Sequence, residues 1–457
     1  MPRTRDWAAL ALAGAVFWVG LGSYGLVEPS DARYAEIARE MWLSGDWMSP
    51  RLLGIHHFHK PPLIYWLSAA GYAVLGPTEW GARACQGVLG LVLAAVLWRF
   101  ARRNLGPRYA PWAVVLLATT PAVVGAERML TTDLLLATCQ TVILTSAYEI
   151  WRGTGGRGAR AALYLAFGLA FLAKGPVGWL VPLLVLVPFL LAGRGSSGRK
   201  APWGLSWGIP LVLTVALPWY LYAVIRTPGL LSYFIGGQLG SRLQAGGMGH
   251  PHPWHYYLYV APALGFPWVL PALAGRGPQA GDEPPGIGRI LALWALVPPL
   301  FFSIPATKLP LYVLPAYPAV ALLGARALAS GAPGVRRALR VAGAVVLVGG
   351  LGAALVGLGV VPLRGGDLSQ LPRGDLADLF LPMAVAALAG GGCAWPGPGG
   401  RPLPREPPPS PSSWSWASPR PGPSPGATVS PSRPPGSWAG LPRPSWATAT
   451  CWPSTAP

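Results

Sequence analysis

Residues 28–66 read EPSDARYAEIAREMWLSGDWMSPRLLGIHHFHKPPLIYW. Acids and bases are mixed here: Glu28, Asp31, Arg33, Glu36 and Lys60 lie within one connection between two apolar runs. Glu127, Arg128, Asp133, Lys174, Arg242 and Lys308 sit in the same way at the ends of other apolar runs. Such charges are costly beside a membrane unless they pair, meet water or serve a site. A carboxylate within reach of a hydroxyl or amine can take its proton, and Asp31 and Asp133 are the candidates. The plainer alternatives stay open. Asp133 follows Thr131-Thr132, a helix-capping sequence. The long basic side chains could be anchors snorkelling to the interface. All six histidines form two clusters, His56, His57 and His59, and His250, His252 and His255. If these loops met, His59, His250 and His252 could bind zinc, although the spacing matches no closed site. Interfacial or substrate-binding histidines are the plainer reading.

The elements that must carry these residues follow from composition. Hydrophobic residues make up 52% of the 457, and charged residues 11%, against roughly 25% charged in a soluble domain. Mean hydropathy is +0.42. These values exclude a soluble globular or disordered chain and predict an all-α, polytopic transmembrane bundle. Apolar runs cover 7–27, 62–76, 84–98, 110–126, 133–150, 161–173, 176–192, 204–225, 256–273, 290–304, 309–325, 341–362 and 379–394. That predicts about twelve or thirteen helices. The first run is long and lacks a small-residue cleavage site, so it reads as a span and not as a cleaved signal.

The net charge of +19 would suggest nucleic acid in a soluble chain. Here many of the 35 bases fall in short loops: Arg99, Arg102, Arg103 and Arg108, then Arg152, Arg157 and Arg160, then Arg194, Arg199 and Lys200, then Arg326, Arg336, Arg337 and Arg340. A cytoplasmic N-terminus puts these loops inside. The mixed-charge connections, including external loops 28–61 and 226–255, then face outward, and no nucleic-acid partner is expected. Residues 31–42 carry an apolar stripe of Ala35, Ile37, Ala38, Met41 and Trp42, which predicts an amphipathic helix in the interface plane. The four cysteines, Cys85, Cys139, Cys393 and Cys451, show no paired spacing.

The membrane domain is expected over 1–395. From 396 to 457 the chain is rich in Pro, Ser, Gly, Trp and Arg, without apolar periodicity. That composition cannot offset chain entropy and predicts disorder. Five tryptophans in such a tail fit a shifted reading frame of a GC-rich gene, which resequencing of the 3′ end tests.

The ordered motifs resemble the GT-C membrane glycosyltransferases, in the branch of the bacterial aminoarabinose (lipid A) transferase and the dolichyl-phosphate-mannose–protein mannosyltransferases. The resemblance rests on Ser30-Asp31, Arg33-Tyr34-Ala35-Glu36, Arg39-Glu40-Met41, Ser44-Gly45-Asp46-Trp47 and Lys60-Pro61-Pro62. It continues through Arg83, Thr132-Asp133, Ala173-Lys174-Gly175-Pro176, Pro218-Trp219, Arg242 with His250, Pro253 and Tyr256-Tyr257, and then Phe302-Ser303, Lys308-Leu309-Pro310 and Tyr312-Val313-Leu314-Pro315. Two positions depart from it. Ser30 stands where the family has its leading acid, and His59 where a Glu commonly precedes the lysine.

The resemblance implies transfer of a sugar from a polyprenyl-phosphate donor to a lipid, protein or glycan acceptor on the external face of a bacterial-type inner membrane. Lys60, Arg242, Lys308 and Tyr312 would then stabilise the leaving phosphate. Asp31 or Asp133 would act as base. Arg33, Tyr34, Glu36, Arg83, Lys174, His59, His252 and Tyr256 would support the site. An inverting displacement follows from the resemblance alone. No metal is required, since the donor carries one phosphate and no pyrophosphate; a divalent ion on the histidines is the alternative. The missing carboxylates keep a non-catalytic relative open, and a lipid-linked sugar transporter or flippase is the rival class.

Overall fold

A computed structural model describes residues 3–27, 30–193, 203–234, 236, 251–275, 284–330 and 333–358. The apolar run 379–394, the tail 396–457, Glu28, Arg242, His250 and the bases Arg194, Arg199 and Lys200 lie outside the described residues.

The described chain is helical apart from one small antiparallel hairpin. The helices are α1 (Thr4–Trp18), α2 (Asp31–Ser44), α3 (Leu63–Leu75), α4 (Glu79–Asn104), α5 (Ala110–Ala118), α6 (Pro121–Glu127), α7 (Thr132–Trp151), α8 (Arg157–Lys174), α9 (Val177–Ala192), α10 (Leu205–Arg226), α11 (Leu230–Ser232), α12 (Tyr256–Leu264), α13 (Val269–Ala274), α14 (Ile287–Ser303), α15 (Tyr317–Ser330) and α16 (Pro333–Gly357). A 3-10 turn over Pro310–Ala316 leads into α15. The hairpin pairs β1 (Arg51–Leu52) with β2 (Ile55–His56), in the register Arg51 with His56 and Leu52 with Ile55.

Among the described residues, α4, α7, α10 and the stretch Pro310–Ser330 are long and apolar enough to cross a bilayer. The sequence pattern predicts one span over 110–126. Instead α5 and α6 meet at a 63° bend, making a broken span or a re-entrant loop. Thr119 and Thr120 turn their hydroxyls back to the Val115 and Leu116 carbonyls, each at 2.6 Å, and Pro121 cannot continue the ladder. Hydropathy alone does not see that break.

α7 is the centre of the bundle. Its apolar window is 94% buried, against 28% for α10. Its polar Thr138, Thr141 and Thr145 donate to their own helix's carbonyls, so these three hydroxyls are paired within α7. Glycines set two close approaches. A side chain at Gly71 of α3 would meet the Gly81 carbonyl of α4, so these two backbones touch. Gly90 of α4 leaves room for the Glu127 carboxyl, whose Oε2 would lie 2.5 Å from an added Cβ.

The end of the bundle holding Arg99, Arg102, Arg103 and Arg152 is tied by ion pairs. Asp6 of α1 meets Arg102 at 2.6 Å. Glu149 near the end of α7 meets Arg99 at 3.0 Å and Arg103 at 3.4 Å. Arg102 and Arg103 also stand in the last turn of α4, where a cation suits the helix dipole.

Candidate active site

The mixed-charge connection after the first apolar run folds locally as its pattern predicts. α2 begins at Asp31 and buries Tyr34, Ala35, Ile37, Ala38 and Met41 on one stripe. Gly45 at φ 70° ends it. The expected helix and the observed one agree to within two residues.

Asp31 does not face an open cleft. It is 1% exposed. Its Oδ2 accepts from the Val27 N–H at 3.0 Å, and its Oδ1 from the Leu130 N–H at 2.8 Å. The Arg83 guanidinium of α4 closes a buried ion pair on both oxygens. The same guanidinium donates to the carbonyls of Leu21, Tyr24 and Gly25 and lies 4.0 Å from the Tyr24 ring centre. Asp31 is therefore a clasp joining the α1–α2 connection, α4 and the turn before α7. Its lone pairs are taken, so in this arrangement it has no site left for a substrate proton.

Asp133 is placed differently. It lies in the first turn of α7, with Thr131 as N-cap accepting the Asp133 N–H. Lys174, the last residue of α8, reaches it at 2.5 Å. Gly175 at φ 64° turns the chain immediately afterwards. The Lys174 ammonium is also 4.3 Å from the ring centre of Tyr312. Tyr312 in turn packs on Phe302. Three segments distant in sequence thus meet at the Lys174 ammonium. Asp133 Oδ2 accepts no hydrogen bond among the described residues. The helix-cap alternative is incomplete, because Thr131 performs the capping.

A third group surrounds the loop ahead of α3. The Tyr34 and Tyr65 rings are 5.6 Å apart, and the Arg33 guanidinium is 6.0 Å from the Tyr34 ring. The Tyr65 hydroxyl and Arg33 Nε are buried and without a partner among the described residues. The rings of His57 and His59 stack at 4.3 Å. Burial pushes the His57 imidazole down to about 4, helped by the neighbouring His59 and Arg33 charges. Lys60 is half-buried between these histidines and Pro61. Glu36 sits apart, paired with Arg39 at 2.7 Å, and that hydrogen bond lowers its carboxyl.

Lys308 also departs from expectation. It is buried, and its ammonium donates to the carbonyls of His252 at 2.9 Å and Pro305 at 2.5 Å. Burial lowers it from the ordinary lysine value. Tyr257 donates to the Leu309 carbonyl at 2.8 Å, and His252 N–H to Ala306 at 3.1 Å. Lys308 is thus a staple between segments 251–257 and 305–309. His252 stacks on Tyr256 at 4.2 Å. Among the described residues no three His, Cys, Asp or Glu side chains gather as a metal site.

Known proteins share this arrangement of elements. A sequence profile described as dolichyl-phosphate-mannose-protein mannosyltransferase matches residues 59–222. The chain is 32% identical over 361 residues to an undecaprenyl phosphate-alpha-4-amino-4-deoxy-L-arabinose arabinosyl transferase of Pseudomonas fluorescens, covering 76% of this chain and 64% of that one. A transferase of the same name from a second strain is 32% identical over 384 residues, covering 79% of this chain and 67% of the relative. The chain belongs to the GT-C family of membrane glycosyltransferases. The crystal structure of ArnT from Cupriavidus metallidurans bound to undecaprenyl phosphate superposes with a TM-score of 0.74 at 29% identity, over 86% of this chain and 72% of that one. The apo form of the same protein gives 0.72 at 27% identity, over 85% and 71%.

With that membership the chain is an integral membrane protein, and its all-α architecture is that of the family. It spans slightly under two thirds of the first relatives it matches, 64% and 60%. Of the family's motif positions, Asp31, Arg33, Tyr34, Arg83, Asp133, Lys174, Lys308 and Tyr312 fall into the clusters described above, while Arg242 and His250 lie outside the described residues. Sequence reasoning named Tyr256-Tyr257 as a motif without giving Tyr257 a role, and it missed Tyr65 and Gln86. A glutamine within an apolar run was the available signal for the last.

Proposed function

We propose that this chain moves a sugar from a polyprenyl-phosphate donor to a lipid acceptor at the outer face of the membrane. The observation that carries the reading is the convergence of Asp133, Lys174 and Tyr312, from three separate segments, in a chain of this family. The solved relative bound to undecaprenyl phosphate supports the donor class.

The donor's chain dissolves in the bilayer and its phosphate rests at the interface. An acceptor oxygen attacks the anomeric carbon, and the bond from that carbon to the phosphate oxygen breaks. The electron pair leaves with the phosphate, which changes from monoanion to dianion. The acceptor proton passes to Asp133, whose carboxylate Lys174 orients. Lys60 and the Tyr312 hydroxyl stabilise the growing phosphate charge, which favours the transition state over the ground state. Arg242 joins them in this reading by family position. The donor holds a single phosphate, so the step needs no metal. Asp31 and Arg83 hold the frame.

The test is transfer of label from radiolabelled polyprenyl-phosphate sugars in membranes containing native lipid. Asp133→Asn and Lys60→Ala should abolish or strongly reduce transfer at unchanged expression. Label arriving on protein or on free glycan would replace the lipid acceptor. Vesicle-to-vesicle movement of an intact donor, without transfer, would favour a carrier and overturn the enzyme reading.

A further inference from the structure

One short turn touches Asp31 and leads into the helix that carries Asp133, and something must hold that turn. Residues 128–131 run from the end of α6 to the cap of α7. Leu130 N–H donates to Asp31, and Thr131 caps the helix turn that carries Asp133. The turn therefore sets where Asp133 stands relative to the clasp at Asp31.

Gln86 grips that turn. It lies on α4 three residues after Arg83, and so on the same helix face. It is fully buried. Its amide nitrogen donates to the Met129 carbonyl, with the Thr131 carbonyl at 3.3 Å and the Ala126 carbonyl at 3.4 Å. Three carbonyls point at one NH2 group. The amide orientation is fixed by this, since the flipped form would aim its own carbonyl at three others. The Gln86 Oε1 is buried with no partner among the described residues. An unpaired buried acceptor is a cost that a merely space-filling residue would avoid. The nitrogen end is what the site uses.

We propose that Gln86 is a positioning residue for the transfer step: its amide holds the 126–131 turn so that Asp133 meets Lys174 and the acceptor. This rests on the reading of Asp133 as the base. Gln86 touches neither donor nor acceptor. Its loss should therefore lower kcat and leave donor affinity unchanged.

The experiment uses the full chain in detergent or proteoliposomes, comparing wild type with Gln86→Met and Gln86→Glu. Met keeps the volume and removes the donor. A buried, neutral Glu keeps one O–H to give. Gln86→Met should lose kcat by roughly 10- to 100-fold, the scale of an ångström-level misplacement, with KM for the donor within about three-fold. Gln86→Glu should recover a substantial part of that loss. Hydrogen exchange supplies a readout independent of turnover: amides of 128–134 should exchange faster in Gln86→Met, with α8 and α10 unchanged. Wild-type kcat in Gln86→Met, or equal losses in kcat and donor binding, overturns the inference. If wild type transfers no sugar at all, the functional reading falls by itself. Exchange then decides the grip, and unchanged exchange in Gln86→Met overturns it.

Discussion

The two ends of the bundle both carry charge, but they hold it in different ways. At the Arg99–Arg152 end, the buried Glu149 carboxylate meets two arginines that stay in contact with solvent: Arg99 is 44% exposed and Arg103 43%, against 2% for Glu149. Glu149 has two such partners and Asn104 nearby. At the Asp31–Asp133 end both members of each pair are buried, Arg83 with Asp31 and Lys174 with Asp133. Polar atoms without partners, the Tyr65 hydroxyl and Arg33 Nε, lie at this end too. Loss of Arg99 at the first end should be tolerated, because water and Arg103 remain at Glu149. The second end has no such substitute. Removing one partner leaves a charge stranded in low dielectric. Positive loops can be a matter of topology, whereas desolvated pairs need a reason to exist, and chemistry supplies one.

Several measurements would break or sharpen that contrast. The largest effect should be on Asp133. Asp133→Asn is expected to cut transfer by about 10²- to 10⁴-fold, the range for a lost general base, with the protein still folded. Retained transfer would remove Asp133 from the chemistry and make both ends alike. Next is the clasp. Arg83→Met should destabilise the protein by about 3–5 kcal/mol, since Asp31 is left buried and unpaired. Thermal unfolding in detergent reads this, and Arg83→Met with Asp31→Leu should recover much of the loss.

The third concerns pH at the loop before α3. The His57 imidazole is held at about 4, below the ordinary histidine value near 6.5. The unfolded loop therefore binds the proton more readily than the folded one. Stability from His57 is fully present above about 6.5 and falls as pH drops from there toward 4. Proteolysis or exchange of residues 51–60 should accelerate over that window, and His57→Phe should flatten the dependence. The smallest effect should be at the opposite end. Arg99→Ala should change stability by less than about 1 kcal/mol, as for exposed pairs. A much larger loss there would erase the distinction between the ends.

Much of this was legible in the sequence, for identifiable reasons. α2 was readable because its apolar stripe has helical period and a glycine follows it. The outer clusters were readable because ionisable residues at membrane edges are rare enough to stand out. The pairing of Asp133 with Lys174 was not, since 41 residues and a full helix hairpin separate them. Lys308 shows a second limit. A lysine beside prolines reads as an anion ligand, yet here carbonyls of two loops cage it. The break between α5 and α6 was signalled by Thr119-Thr120-Pro121, but the apolar content around it hid the signal. Asp31 and Asp133 read as alternative bases because carboxylates look alike in one dimension. The donors around Asp31 are what set the two apart.

The notch at Gly90 has a consequence for how the chain is built. Glu127 carries its carboxyl into the interior on a half-helix too short to cross a bilayer by itself. The wall that receives it belongs to α4, which leaves the ribosome earlier. The side that supplies the room is therefore synthesised before the acid that fills it. A Gly90→Ala chain would set a methyl group where the Glu127 carboxyl now lies, and its folded yield should fall.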